Sequence, residues 1–194
     1  MNRDEPQAKT RVLALAGSLR EASFNRKLLA AAAECAPATL QVIVYRDLAS
    51  VPLFDEDLER AGDGGPEGVR RLRREIDSAD GLLIATPEYN QSIPGVLKNA
   101  VDWLSRPGPQ EVLAGKPVAV IGATVGRWGT RLAQAALRHI LHANQALILP
   151  QPLMFVREAE QLFDADGKLA DQPTRNDLHE LLGAFAQWIE SVRP

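Results

Sequence analysis

The first cluster of residues able to do chemistry follows a short apolar run near the start of the chain. Residues 17–25 read GSLREASFN and lead into a segment rich in Ala and Leu. A strand, a hydroxyl-rich turn and a helix start make an anion site, because the free N–H groups of the first helical turn favour a phosphate. Ser18, Ser23 and Asn25 add neutral donors, and Arg20 adds a charged fork of N–H groups. The cluster predicts a site for a terminal phosphate monoester.

Three other interpretations apply to residues of this loop and its surroundings. Ser23 alone could serve only as the N-cap of the helix, which is a common role for serine. One residue, Asp47, favours a dinucleotide site instead, because it follows Gly17 by about 30 residues, where an acid that binds the ribose would lie. That site needs further glycines beside the pyrophosphate, and this loop has only Gly17. A phosphatase-type nucleophile fails because Cys35 lies too far along the helix.

Two later loops also carry polar and aromatic residues directly after apolar runs. In the first, residues 86–95 read TPEYNQSIPG. Tyr89 offers a ring and Asn90 offers both a donor and an acceptor, a mixture that suits a planar heteroaromatic ligand such as a flavin. The same residues also fit a plain polar turn before a helix. In the second loop, residues 122–130 read GATVGRWGT, and the glycines permit close backbone approach to a planar ligand.

The elements that must position these loops alternate along the chain. Short apolar runs predict strands and amphipathic runs predict helices, which is the pattern of a parallel sheet covered on both faces. Ligands in such folds bind beyond the carboxyl ends of the strands, where all three loops fall. The predicted strands are 11–16, 40–45, 81–85, 117–122 and 146–149, and the predicted helices are 24–35, 66–78, 94–104, 129–143 and 173–192.

Composition narrows the possible partners. The 194 residues carry a formal net charge of -3 without a basic stripe, which argues against nucleic acid as a partner. A single cysteine fits a reducing cytoplasmic location, and no apolar run reaches the roughly 18 residues of a membrane helix. Residues 1–10 are predicted to be a flexible tail before a single domain over residues 11–194. The three histidines have no carboxylate or thiol placed with them, so no metal site is predicted.

These loops resemble a known family, the NADPH-dependent FMN reductases, which includes bacterial quinone, chromate and azo-dye reductases. The resemblance is carried by residues 15–25, LAGSLREASFN, and by residues 86–107, TPEYNQSIPGVLKNAVDWLSRP. Shorter similarities lie at residues 45–48, 53–57 and 163–169. Together they cover most of the chain, from about Val12 to Trp188.

The resemblance implies a flavodoxin-like α/β fold with a doubly wound, five-stranded parallel sheet of order 2-1-3-4-5. It implies one bound FMN and a homodimer or homotetramer with the flavin near the subunit interface. It also reassigns Asp47 to a structural turn. The implied contacts fall into three groups: Ser18, Arg20, Ser23 and Asn25 on the phosphate; Pro87, Glu88, Tyr89 and Asn90 along the ribityl chain and ring; and Thr124 and Gly126 on the other side of the ring.

The expected activity is an FMN-dependent NAD(P)H oxidoreductase. NADPH or NADH would supply electrons through FMN to a small-molecule acceptor, either a quinone, a flavin, an azo dye or a metal oxyanion. Hydride transfer is the chemistry of the flavin, so no catalytic side chain is predicted. The alternative is a non-enzymatic electron carrier of the flavodoxin type, which the small net charge disfavours. The family commonly has glycine where this chain has Trp128, and the indole is expected to narrow the acceptor pocket or to pack across a dimer.

Overall fold

Apolar runs of the sequence form the strands of one parallel sheet in the computed structural model, which describes residues 9–60, 64–106 and 111–193. The strand order is β2-β1-β3-β4-β5, with β6 also paired to β4, which confirms the predicted flavodoxin-like order. The strands are β1 (Thr10–Ala16), β2 (Leu40–Tyr45), β3 (Gly81–Ala85), β4 (Pro117–Ala123), β5 (Leu147–Ile148) and β6 (Met154–Val156).

Helices cover both faces of this sheet. On β1, Val12 and Ala14 face one layer while Leu13 and Leu15 face the other, as the two-residue period of a strand requires. The first layer holds α1 and α6, and the second holds α3, α4 and α5. The helices are α1 (Phe24–Cys35), α2 (Glu56–Arg60), α3 (Glu67–Asp77), α4 (Gly95–Leu104), α5 (Arg131–Ala143) and α6 (Gln172–Ser191).

The edge of the sheet beside β4 differs from the prediction of five strands. β5 pairs with residues 117–118 and β6 with residues 121–123, so two short strands share one edge of β4. Pro150 and Pro152 stand between them, and proline cannot donate to a ladder. The fifth strand is therefore shorter than predicted, and the prediction missed the sixth.

The start of the chain also differs in detail. Thr10, which the prediction placed in the tail, is the first residue of β1 and is buried. Residues 1–8 of the predicted tail lie outside the described residues. Within the described ranges, the structure has no helix that is both long and apolar enough to span a membrane.

Candidate functional site

The loop after β1 leaves several backbone amides available at the start of α1. Ser23 caps the helix, with its Oγ accepting from the Arg26 amide at 3.4 Å, so its capping role is confirmed. Within the described part of the chain, the backbone amides of residues 18–22 have no hydrogen-bond acceptor. Ser18 is buried, and the exposed Arg20 side chain has no acidic partner among the described residues. Unpaired amides, a hydroxyl and a free guanidinium suit a phosphate.

Asn25 has a second role that the sequence did not reveal. Its buried amide group pairs with both backbone atoms of Ala123 at the end of β4: Nδ2 donates to the carbonyl at 2.9 Å, and Oδ1 accepts from the amide at 2.9 Å. One Nδ2 hydrogen remains for another acceptor. Asn25 therefore fastens residues 17–25, the predicted phosphate loop, to the carboxyl end of β4.

The loop after β3 presents Tyr89 on a tight turn. The backbones of Tyr89 and Ser92 exchange two hydrogen bonds of 2.9 and 3.0 Å. Between them, Asn90 and Gln91 have φ of 50° and 64°, which gives a type I′ turn. Gln91 is an unusual residue at such a φ, and strained backbone of this kind clusters at binding sites. The turn leaves the Tyr89 side chain 48% exposed beyond the sheet.

Glu88 ties this loop to α5. Its Oε2 accepts from the backbone amides of Leu132 at 2.9 Å and Ala133 at 3.0 Å, in the first turn of the helix. A carboxylate at a helix N-terminus is stabilised by the free amides and by the helix dipole. The carboxylate of Glu88 is thus committed to the protein, which leaves its backbone to line a ligand.

The loops after β1 and β3 also pack closely. The Gly17 amide donates to the Ala85 carbonyl at 2.8 Å. A Cβ on Gly17 would lie 3.1 Å from Leu97 Cδ2 and 3.2 Å from Pro87 Cδ, closer than most carbon contacts. Glycine at this position therefore allows Pro87 to approach the phosphate loop.

The loop after β4 is shaped by its glycines. A Cβ on Gly122 would lie 2.1 Å from Thr130 Oγ1 and 2.4 Å from the Thr86 carbonyl, so only glycine fits. Thr124 Oγ1 accepts from the Gly126 amide at 3.2 Å, which bends the chain beyond the sheet. Gly126 itself is exposed. The structure therefore brings all ten predicted residues to one end of the sheet, on three mutually linked loops.

Asp47 belongs to a structural turn, as the resemblance implies, whereas the role of Trp128 at an acceptor pocket or a dimer contact stays a prediction. Asp47 forms an ion pair with Arg71, and its carbonyl accepts from Ser50, so it belongs to a structural turn. Trp128 is 62% exposed, with the guanidinium carbons of Arg127 and Arg131 at 4.8 and 5.6 Å from its ring centroid. The arginine contacts were not foreseen, although three aromatic or basic residues within five positions could have signalled them.

Comparison with known proteins agrees with this geometry. Residues 10–161 match the family model described as NADPH-dependent FMN reductase. The chain is 40% identical to a 2-hydroxy-1,4-benzoquinone reductase of Burkholderia sp., over 94% of this chain and 98% of that protein. It is 39% identical to a quinone reductase of Escherichia coli, over 95% of this chain and 98% of that protein.

A solved structure gives the same result. The flavoenzyme FerB of Paracoccus denitrificans, an NAD(P)H:(acceptor) oxidoreductase, superposes with a TM-score of 0.85 at 36% identity. The superposition covers 94% of this chain and 98% of FerB. Family model, curated relatives and solved structure all span the three loops described above. The chain therefore belongs to the NADPH-dependent FMN reductase family.

Proposed function

We propose that this chain holds FMN at the carboxyl end of its sheet and uses it to pass electrons from NAD(P)H to a quinone. The observation that carries the proposal is the phosphate loop, where the amides of residues 18–22 lack acceptors among the described residues beside the free side chain of Arg20. Bound FMN would supply the redox chemistry: it would take a hydride from the nucleotide and pass the two electrons on to the acceptor.

The protein's own residues bind and orient the cofactor in this proposal. Ser18, Ser23 and Arg20 donate to the phosphate, and Asn25 contributes its remaining amide hydrogen. The loop amides and the α1 N-terminus add positive potential, which favours a dianion.

Two loops line the rest of the cofactor. Pro87, Tyr89, Asn90 and the backbone of Glu88 border the ribityl chain and one side of the ring. Thr124 and Gly126 border the other side. The strained turn at Asn90 and Gln91 and the carboxylate of Glu88 hold this arrangement before any ligand arrives, which lowers the entropic cost of binding.

A quinone is the acceptor that we propose, because the relatives from Burkholderia and Escherichia coli are named for quinone reduction. Flavin, azo dye and metal oxyanion remain the other acceptors to test. We also propose a homodimer or homotetramer, since Leu53 and Val125 are large side chains 82% and 55% exposed. The single cysteine supports a cytoplasmic location.

Spectroscopy and steady-state kinetics test this proposal. The purified protein should be yellow or take up FMN, and NADPH should bleach the flavin without oxygen. With 1,4-benzoquinone as acceptor, double-reciprocal plots should be parallel, because donor and acceptor use the same flavin in turn. Binding of FAD without FMN would contradict the cofactor assignment. Flavin bleaching without turnover on any small acceptor would instead indicate an electron carrier.

A further inference from the structure

A cavity is lined in part by the loop after β4 but contains none of the ten predicted residues. Its volume is about 980 Å³, within the usual range for small-molecule sites. The loop after β4 forms one wall with Arg127, Trp128 and Arg131, and Arg157 adds a third guanidinium. The opposite wall is formed partly by α6, with Asp177 and Glu180.

The basic wall has no acidic partner. Among the described residues, Arg127, Arg131 and Arg157 form no ion pair and donate no side-chain hydrogen bond. Arg127 and Arg131 lie against the same indole ring, at 4.8 and 5.6 Å. Two positive charges therefore lie against one ring. Their mutual repulsion would be offset by an anion bound between or beside them.

The acidic residues of the cavity do not neutralise this wall. Glu158, Asp177 and Glu180 also line the cavity, yet in the described ranges none of their carboxylate oxygens lies within 4.0 Å of a guanidinium nitrogen of the three arginines. An anion entering the cavity is therefore attracted to the Trp128 side and repelled from the α6 side. Trp128 supports the guanidiniums through cation–π contacts with its ring.

We propose that Arg127 and Arg131, supported by Trp128, bind a phosphate group of the nicotinamide nucleotide donor. The inference rests on the proposed function, because the same loop carries Thr124 and Gly126 on the predicted border of the flavin. A donor whose nicotinamide lies on the flavin extends beyond it through a pyrophosphate and, in NADPH, a 2′-phosphate. Arginine forks match the oxygens of either phosphate.

The test removes the two charges without changing the flavin loops. Arg127→Gln combined with Arg131→Gln is compared with Arg46→Gln, which removes an exposed arginine after β2 that lies outside the cavity. Anaerobic stopped-flow reduction of the FMN-loaded protein gives the Kd and limiting rate for NADPH, NADH and reduced nicotinamide riboside. Calorimetry measures 2′,5′-ADP on the same protein.

The double variant should raise the Kd for NADPH about tenfold or more and leave its limiting rate within about twofold. Reduced nicotinamide riboside has no phosphate group, so its Kd should not change. Loss for NADPH alone assigns the site to the 2′-phosphate, and equal loss for NADH assigns it to the pyrophosphate. Trp128→Gly should give a smaller rise, because the charges remain and only their support is lost.

Three results would overturn the proposal. The first is an unchanged Kd for both dinucleotides and for 2′,5′-ADP. The second is an equal loss for reduced nicotinamide riboside, which would show that the arginines act on a part of the donor without phosphate. The third is dissociation of an oligomer, seen by light scattering, with every Kd unchanged, which would make the arginines a contact between copies of this chain. Calorimetry needs no turnover, so failure of the proposed function would be a separate result.

Discussion

The two ends of the parallel sheet differ in how their charged residues are used. At the amino ends of the strands, Asp80 accepts from the Arg11 amide at 2.7 Å and from Arg193 at 2.6 Å. Arg11 also donates to Glu75 at 2.9 Å, and Lys116 donates to the Ala79 carbonyl at 2.7 Å. Charge at this end is paired within the protein.

The carboxyl ends of β1, β4 and β6 show the opposite pattern. Arg20, Arg127, Arg131 and Arg157 have no acidic partner in the described part of the chain, and the amides of residues 18–22 have no acceptor there. Both ends have similar residue types, so composition alone does not distinguish them. The difference is the one expected when the carboxyl end of an open α/β sheet binds the ligands, because buried or clustered polar groups otherwise find partners within the protein.

The largest expected effect comes from breaking the link that fastens the carboxyl end together. Asn25→Ala removes both hydrogen bonds to Ala123 and leaves its buried amide and carbonyl unpaired. We expect a loss of about 2–4 kcal/mol in the free energy of unfolding, measured by urea denaturation. Asn144→Ala, which removes one half-buried bond to Ile140, is the control and should cost about 1 kcal/mol or less. Equal losses for the two variants would show that the Asn25 link is not special.

The next effect separates ligand binding from stability. If Arg20 grips the FMN phosphate, Arg20→Ala should weaken FMN binding about ten- to a hundredfold, since one hydrogen bond to a charged group is worth about 1.5–3 kcal/mol. Riboflavin has no phosphate, so its affinity should hardly change. Folding should be unaffected because the side chain is exposed and makes no described side-chain hydrogen bond.

Titration of both ligands into the apo variant distinguishes the outcomes. Equal loss for FMN and riboflavin, or no loss for either, would mean that Arg20 is not the phosphate contact. Arg46→Gln again serves as the matched control, since it removes an exposed arginine outside the three loops.

A smaller effect concerns the link between the loop after β3 and α5. Glu88→Ala leaves the amides of Leu132 and Ala133 without their acceptor and should cost about 1–2 kcal/mol in unfolding free energy. Glu88→Gln keeps an acceptor and loses only the charge, so its cost should be below about 1 kcal/mol. If the alanine variant unfolds like the wild-type protein in urea, the carboxylate does not stabilise the helix start.

Sequence patterns predicted most of this fold because buried parallel strands are short apolar runs with clear boundaries. The limits of β2 and β3 match the prediction, and α1 matches as well. The prediction for the sheet edge beside β4 was wrong in detail, because β6 has only three residues and prolines interrupt the apolar run before it. A three-residue strand is defined by its partner strand rather than by its own pattern.

The residue types of the site could be predicted from the sequence, but the hydrogen bonds that join its loops could not. The spacing of Ser18, Arg20 and Ser23 points to an anion at a helix start. Nothing local shows that Asn25 pairs with Ala123, almost a hundred positions away, because that bond depends on how β1 and β4 are arranged. The positive φ of Gln91 was equally hidden, since glutamine rarely adopts it and the closed turn imposes it.

The smallest expected effect lies at the paired end and concerns pH. Burial would raise the pKa of Asp80, but the Arg11 amide and the Arg193 guanidinium outweigh it and hold the pKa below its ordinary value. A carboxyl group with a lowered pKa in the folded state contributes stability above its unfolded pKa, near 3.8, and loses that contribution as the pH falls through the folded value.

Asp80→Asn should therefore cost about 0.5–1 kcal/mol at pH 7, a modest figure because the pair is partly exposed. The difference from wild type should shrink as the pH falls below about 4, because the carboxyl of the unfolded wild-type chain takes up a proton there before the folded one does. Arg193→Gln removes one of the two donors and should give part of that loss with the same pH dependence. Urea denaturation of wild type and the two variants between pH 7 and pH 3 measures these differences in the free energy of unfolding. A constant difference across this range would show that the charge of Asp80 does not stabilise the amino end, and the contrast between the two ends would then rest on hydrogen bonding alone.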